Sequence, residues 1–480
     1  MAKFGVLDYG VYVPRRRMAR RAIFDAVGWA QGGLRAYAKG ERAFAAWDED
    51  AITMGVEAAR SALKSAASAP HTLAFASTTA PFLDRQNAGV IAAALDLRSA
   101  LRSMDIGGSQ RAGLSAILSA CEAPARSTLV VAAEKRPVKS ASVLEMMSGD
   151  AGAAMLFGEG EPVAEFITAH STTVDFVDHF RTEASGADYS YEERWVRDAG
   201  FLPIVADTIR ALLQRARVEA GDVARLAAAA PSVAALRALA EATGIRADAA
   251  ANQFLDTIGH AGAAHPMLAF AGALDVAAKG DLILILAFGQ GCDAALFRAA
   301  GAGRKNEMAR AIAGGAREEN YAKFLAASGR LDIDWGMRAE RDNRTAQTVA
   351  FNKSRDIYGF VGGVCSACDT PQFPRSRRCV NPSCAALDTQ KDYRFADQRG
   401  VIKTFTEDHL AFTREPPLLY GNISFAGGGN VFMEMADFAP GEAAVGAAVE
   451  MRFRIKDVDT ARGFHRYFWK AAPAEGAAHG

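Results

Sequence analysis

Across the first 300 residues, short apolar runs alternate with Ala-rich amphipathic ones. Thr72-Leu-Ala-Phe-Ala-Ser predicts a strand, Ala88 to Leu97 a helix, and Leu129-Val-Val-Ala-Ala another strand. Repeated alternation of this kind predicts an α/β fold. One series occurs twice. A small-residue turn at Gly107 to Ser109 leads to an apolar helix at Ala112 to Cys121, a strand at Leu129 to Ala132, and Asp150-Ala-Gly-Ala-Ala-Met-Leu-Phe. The later copy runs from Gly259 through a helix at Met267 to Val276 and a strand at Leu282 to Leu286, ending in Gly291-Cys-Asp-Ala-Ala-Leu-Phe. An internal duplication is expected, with halves at about 1–165 and 166–300. The pattern then changes. Residues 301–356 carry charged helical stretches and read as a connector. From Ile357 onward, short strands separated by turns such as Gly427-Gly-Gly-Asn predict a small barrel over 393–470, and the Ala- and Gly-rich 471–480 reads as a flexible tail.

Composition narrows the function classes. The chain has 480 residues, long enough for several packed units, and its 55 basic and 55 acidic side chains cancel. No global field draws it to nucleic acid or to an anionic membrane, so neither partner is expected. The first residues enter a strand-like run with no secretion-signal pattern, and no uncharged apolar stretch reaches the roughly 20 residues needed to cross a bilayer. A cytoplasmic location is expected.

Cysteine spacing supplies the sharpest motif. Four of the six cysteines fall at Cys365, Cys368, Cys379 and Cys384, two knuckles able to give four thiolates to one tetrahedral ion. A structural Zn²⁺ is expected at this ribbon, residues 357–392, with no open position for a substrate. The ribbon, followed by Gly400-Val-Ile-Lys-Thr-Phe-Thr and a Gly-rich barrel, resembles the zinc-ribbon and OB-fold proteins that accompany thiolase-type enzymes. The barrel lacks the basic groove interleaved with stacking aromatics by which some OB folds hold nucleic acid.

Residues 4 to 300 resemble the 3-hydroxy-3-methylglutaryl-CoA synthase and ketoacyl synthase III branch of the thiolase superfamily. The resemblance rests on Thr78-Thr-Ala-Pro-Phe with Asp84-Arg-Gln-Asn-Ala-Gly, on Asp105-Ile-Gly-Gly-Ser-Gln-Arg-Ala-Gly, on Asp175-Phe-Val-Asp-His and on Gly289-Gln-Gly-Cys-Asp-Ala. It implies a layered α-β-α-β-α catalytic domain over 1–300, coenzyme A as substrate or cosubstrate, and a homodimer. It also implies a cysteine nucleophile at a tight turn opening a buried helix. Counting from Asp105, that place falls on Gln110, which cannot form an acyl-enzyme thioester but can donate to a thioester or enolate oxygen. The family's histidine falls on Ala229, ahead of Pro231, and the usual asparagine on His260. His260 is therefore the expected proton carrier, titrating near neutrality, against the alternative of a hydrogen-bonded core histidine. His179 is a further candidate for the pocket, while His265, Cys121 and Cys292 read as buried and structural. The glycines of Gly107-Gly-Ser and Gly289-Gln-Gly would let backbone N–H groups approach a thioester oxygen, or are turn glycines.

These residues point to an enzyme that makes or breaks a carbon–carbon bond of a β-keto or β-hydroxy acyl-CoA, or a β-keto acid, without a cysteine-bound acyl group. Retro-Claisen, retro-aldol and decarboxylative chemistry all fit. A direct acyltransferase and a non-catalytic scaffold binding acyl-CoA or another subunit are the alternatives.

Overall fold

The structure is a computed structural model and describes residues 3–66, 68–123, 126–250, 254–300 and 306–474. The chain forms two compact units. The first comprises 1–46, 50–89 and 98–330, and the second 47–49, 90–97 and 331–480.

In the first unit, β1 (Lys3–Tyr12) is followed by helix α1 (Ala51–Leu63), β2 (Thr72–Ala76), β3 (Arg102–Ile106), helix α2 (Ala112–Glu122), β4 (Thr128–Glu134) and β5 (Ala151–Gly160). The second half contributes β6 (Ala164–Thr173), helix α3 (Leu202–Ala216), β7 (Val223–Ala228), helix α4 (Val233–Thr243), helix α5 (His265–Val276), β8 (Leu282–Phe288) and β9 (Gly291–Ala299). The strands lie in the order β7-β8-β9-β6-β1-β5-β4-β2-β3. This order displays the duplication. In the first half β2 and β4 are parallel, β5 is antiparallel to β4, and β1 follows; in the second, β7 and β8 are parallel, β9 is antiparallel to β8, and β6 follows. Among the described residues the second half has no counterpart of β3.

Burial explains the layering. All seven residues of β8, Leu-Ile-Leu-Ile-Leu-Ala-Phe, are buried, as a strand covered on both faces requires. Helices α2 and α5 form the middle layer. α2 packs on β2, β4 and β9, α5 packs on β5, β7 and β8, and the two helices touch. A helix clad on every side must be apolar on every side, and nine of the twelve residues of α5 are buried. Gly113 allows α2 to approach so closely, because a Cβ there would lie 2.2 Å from the Ala263 carbonyl oxygen. α1 covers β1, β5 and β4 from outside, and α3 covers β6 and β9. The expected five-layer duplicated thiolase-type fold is what the chain adopts.

The segment read as a connector is divided between the units. Its described residues up to Arg330 pack with the first, because Phe324 is 1 % exposed and its ring meets Phe44 edge-on at 4.9 Å. In the second unit, β10 (Val361–Cys365) pairs with Pro371–Gln372 and with β11 (Gln390–Arg394). A five-stranded sheet follows from β12 (Gly400–Asp408), β13 (Leu418–Phe425), β14 (Asn430–Glu434), β15 (Ala448–Asp459) and β16 (Phe464–Pro473), ordered β14-β13-β12-β15-β16. A parallel bridge from Met435 to Ala471 joins the two edges. Residues 471–473, read as tail, complete β16, and 475–480 lie outside the described residues. A buried charge cluster sits in this unit: Arg454 meets Glu49 at 3.1 Å and Asp437 at 2.7 Å, and Lys470 meets Asp48 at 2.9 Å and Glu434 at 3.1 Å. No helix among the described residues is long and apolar enough to cross a membrane.

Candidate active site and cysteine cluster

Gln110 occupies the turn between β3 and α2. Its neighbours set the direction of its carboxamide. With Oε1 turned inward, that oxygen accepts from Arg136 Nη1 at 2.7 Å, Arg136 Nη2 at 2.9 Å and His179 Nε2 at 2.7 Å; the opposite orientation sets amide N–H groups against guanidinium N–H groups. His179 lies in a two-residue strand, His179–Phe180, paired with Tyr189–Ser190. Its Nδ1 meets Asp178 Oδ2 at 2.6 Å, and Asp178 Oδ1 accepts from Gln290 Nε2 at 2.9 Å. Both ring nitrogens thus face oxygens. Gln290 reaches Asp178 from the hairpin between β8 and β9, where its φ is +50°.

Arg136 lies two residues past the end of β4. It is 7 % exposed, its Nη2 contacts Asp188 Oδ2 at 2.5 Å, and the same carboxylate takes Arg181 Nη1 at 2.5 Å. Glu134, fully buried beside it, accepts from Thr78 N at 2.8 Å, Thr78 Oγ1 at 3.0 Å and Thr79 Oγ1 at 2.6 Å. Burial pushes the Glu134 pKa up, against the pull of the Arg136 charge and the three donors. Gly262 makes space for this pair. Its φ is +50°, and a Cβ there would fall 2.7 Å from Arg136 Nη1 and 3.0 Å from Glu134 Cγ.

His260 stands in the turn ahead of α5, with its backbone N–H donating to Met147 O at 2.8 Å and its carbonyl accepting from Gly149 N at 3.1 Å. Withdrawal of the ring from water, aided by His265, Arg136 and His179, holds its pKa well below the usual 6.5. Near neutrality it is uncharged. That departs from the expectation of a histidine titrating there, and the cause is an environment of three other basic side chains that the sequence does not bring together. Nδ1 of His260 accepts from Gly262 N at 3.2 Å, so the neutral ring carries its proton on Nε2. His265, wholly buried, stacks on it with ring centroids 5.0 Å apart.

The structure therefore gathers Gln110, His179 and His260 around Arg136. Arg136, Asp178 and Gln290 went unrecognised in the sequence. The one available signal was an arginine three residues beyond the apolar run Leu129–Ala133, where solvent exposure is not assured. Ala229, in the place of the family's histidine, is buried and inert. Cys121 and Cys292 are no substitutes, since burial pushes both thiols up to about 12. The N–H of Gly289 is engaged by the Gly291 carbonyl at 3.0 Å, and the Gly289 carbonyl accepts from Ser109 Oγ at 2.9 Å, so Gly289 serves as a turn glycine.

In the second unit, the Sγ atoms of Cys365, Cys368, Cys379 and Cys384 all lie within 4.8 Å of one another, with 3.9 Å between Cys365 and Cys384 and 3.6 Å between Cys368 and Cys379. Cys365 ends strand β10 and Cys368 follows in the turn after it, while the 379–384 loop delivers the second pair. The cluster can hold a metal ion. One open depression of about 380 Å³ is lined by Arg377 and Lys353, which pair with Asp388 and Asp356, and another of the same volume is lined by Cys379 and Arg378.

Comparison with known proteins agrees with this architecture. Residues 213–299 match the family described as 3-oxoacyl-[acyl-carrier-protein (ACP)] synthase III C terminal. Hydroxymethylglutaryl-CoA synthase of Pyrococcus furiosus is 27 % identical over 307 residues, covering 62 % of this chain and 86 % of that protein. The crystal structure of 3-oxoacyl-[acyl-carrier-protein] synthase III from Aquifex aeolicus superposes with a TM-score of 0.56 at 20 % identity, over 62 % of this chain and all of that one. An HMG-CoA synthase complexed with CoA gives 0.58 at 14 %, over 66 % and 88 %. The first unit therefore carries the thiolase-superfamily fold in its ketoacyl synthase III and hydroxymethylglutaryl-CoA synthase form.

Proposed function

We propose that the first unit is an enzyme that makes or breaks a carbon–carbon bond of a β-keto or β-hydroxy acyl-CoA without an acyl-cysteine intermediate. The relatives named for hydroxymethylglutaryl-CoA synthesis support the substrate class. The observation that carries the mechanism is the carboxamide of Gln110 at the nucleophile's turn, hydrogen-bonded to His179 while Asp178 braces the far side of that imidazole. Gln110 and the Nε2–H of His260 donate to the thioester oxygen as the bond to the α-carbon breaks and negative charge moves onto that oxygen. His179 carries the proton to or from the reacting carbon or hydroxyl. In the retro-aldol direction a β-hydroxyl loses its proton, the bond to the α-carbon breaks, and the enolate is protonated to give an acyl-CoA and a carbonyl compound. Nothing in this sequence requires a thiolate.

The test is intact-mass analysis of the purified protein during turnover of acetoacetyl-CoA and 3-hydroxyacyl-CoA esters. Cleavage or condensation with no mass added to the protein is expected. An acyl adduct on the chain would refute the cysteine-free mechanism, and absence of turnover and of binding with every ester would refute the enzyme assignment.

Zn²⁺ is the ion proposed for the cysteine cluster. Four thiolates at about 2.3 Å from a tetrahedral zinc lie about 3.8 Å apart, close to the observed pair separations of 3.9 and 3.6 Å. About one zinc per chain is expected, and Cys384→Ser should abolish it together with the ribbon's fold. Metal-free protein with an unchanged melting curve would exclude this. We also propose a homodimer through β3, which forms one edge of the nine-stranded sheet and is half exposed.

A further inference from the structure

Arg136 is a buried cation with no assigned part in the chemistry above. We propose that it is the positioning residue that fixes the direction of the Gln110 carboxamide, holding the oxygen inward and presenting the two amide N–H groups to the substrate. The inference rests on the reading of Gln110 as a donor to a thioester or enolate oxygen.

A primary amide is nearly symmetrical in shape, so packing alone does not distinguish its two ends. Charge does. Two guanidinium N–H groups at 2.7 and 2.9 Å converge on one atom of the amide, and hydrogen bonds from a charged donor are about twice as strong as neutral ones. Turning the amide over would exchange two such bonds for contacts between N–H groups. Arg136 is itself immobilised. Asp188 takes its Nη2 at 2.5 Å, its backbone N–H donates to Asp150 Oδ1 at 2.9 Å, and Gly262 closes the space beside Nη1. The Asp188 carboxylate is shared with Arg181, which also donates to the Thr78 carbonyl, so the guanidinium is tied to two separate loops. Among the described residues nothing accepts from the outward end of the amide, and Gln110 is only half-buried. A carboxamide oriented in this way has one function left to offer a ligand: two N–H donors aimed outward from a fixed origin. A lysine would supply charge without a fork, and a neutral residue would leave the amide free to flip.

The probe is acetyl-CoA labelled with ¹³C at the thioester carbonyl, read by isotope-edited infrared spectroscopy on the full chain. Bound to the native protein, the carbonyl stretch should move to lower frequency. Gln110→Glu keeps the acceptor that Arg136 requires but lacks the N–H donors, and is almost the same size, so it should fold and should remove the Gln110 share of the displacement, leaving the share that His260 supplies. Arg136→Met combined with Asp188→Asn removes both charges of the buried pair together and should also remove that share, whereas Arg136→Lys should keep most of it. A displacement of native size in Gln110→Glu, or in the folded double variant, overturns the proposal. Acetyl-CoA that binds natively without any Gln110-dependent displacement overturns this inference alone. Failure of acetyl-CoA to bind at all overturns the acyl-CoA reading as well.

Discussion

Gln110 and His260 stand at corresponding places in the two halves of the first unit, each in the turn that opens one of the paired central helices. The backbone plan is shared, yet the surroundings differ. Gln110 is held from below by a guanidinium and from the side by an imidazole, and it is half-buried. His260 is held through its own backbone, stacked on His265, and kept uncharged by its withdrawal from water and by its basic neighbours. The duplication thus conserved a position and let its electrostatics diverge, so that one turn presents an oriented amide and the other a neutral imidazole. Both are hydrogen-bond donors of zero net charge in a site that already holds Arg136. A pair of charged donors there would repel the guanidinium or require more buried carboxylates.

The comparison breaks most visibly through activity. Gln110→Ala and His260→Ala should each lower kcat by roughly ten- to a thousandfold with little change in KM, the range for loss of one donor to a developing oxyanion. If both donate to the same oxygen, the double variant should lose less than the product of the two effects. Full multiplicativity in steady-state kinetics would place them on different atoms. Gly262→Ala should be milder. Its φ of +50° and the 2.7 Å approach to Arg136 Nη1 predict about 1–2 kcal/mol of lost stability and about a ten- to hundredfold fall in kcat, because Arg136 must shift. A variant with native kcat would show that the guanidinium has room to spare. The smallest effect concerns pH. The folded His260 has its pKa well below 6.5, whereas in the unfolded chain it titrates near that value. Below about pH 6.5 the unfolded state therefore binds more protons, and stability falls as pH decreases; above it this residue contributes no slope. His260→Gln should remove about one proton's worth of that acid-side slope in denaturation measured at pH 5–6.5, and an unchanged slope would mean that His260 is protonated in the fold.

Sequence patterning revealed the duplication, the cysteine cluster and the barrel strands because each is local: period-two or continuous apolar runs, fixed Cys spacing, Gly-rich turns. It also placed Gln110 and His260, since both are found by counting from short motifs within one turn. The surroundings of those residues were not legible. Arg136, Asp178 and Gln290 converge from three loops that the strand order brings together, and no spacing along the chain encodes that convergence. The neutrality of His260 was missed for the same reason. Phe324 shows a related limit: this buried aromatic on the seven-residue helix Tyr321–Ala327, with Tyr321 and Arg330 bonded to the buried Glu145, fastens a segment that reads as a linker.

Trp47–Glu49 belongs to the second unit, as does Val90–Leu97, although about 280 residues separate Glu49 from Leu331, where the long stretch of that unit begins. Asp48 and Glu49 are 5 % and 1 % exposed there, and they are counterions to Lys470 and to Arg454, which is wholly buried. The barrel is consequently not a detachable appendage. A fragment beginning at Leu331 would carry two interior cations stripped of half their compensation, and loss of one partner of a buried pair costs about 3–5 kcal/mol. Gene fission between the two units, however natural the boundary at Arg330 looks on paper, would have to carry Trp47–Glu49, with its two carboxylates, and Val90–Leu97 across with it.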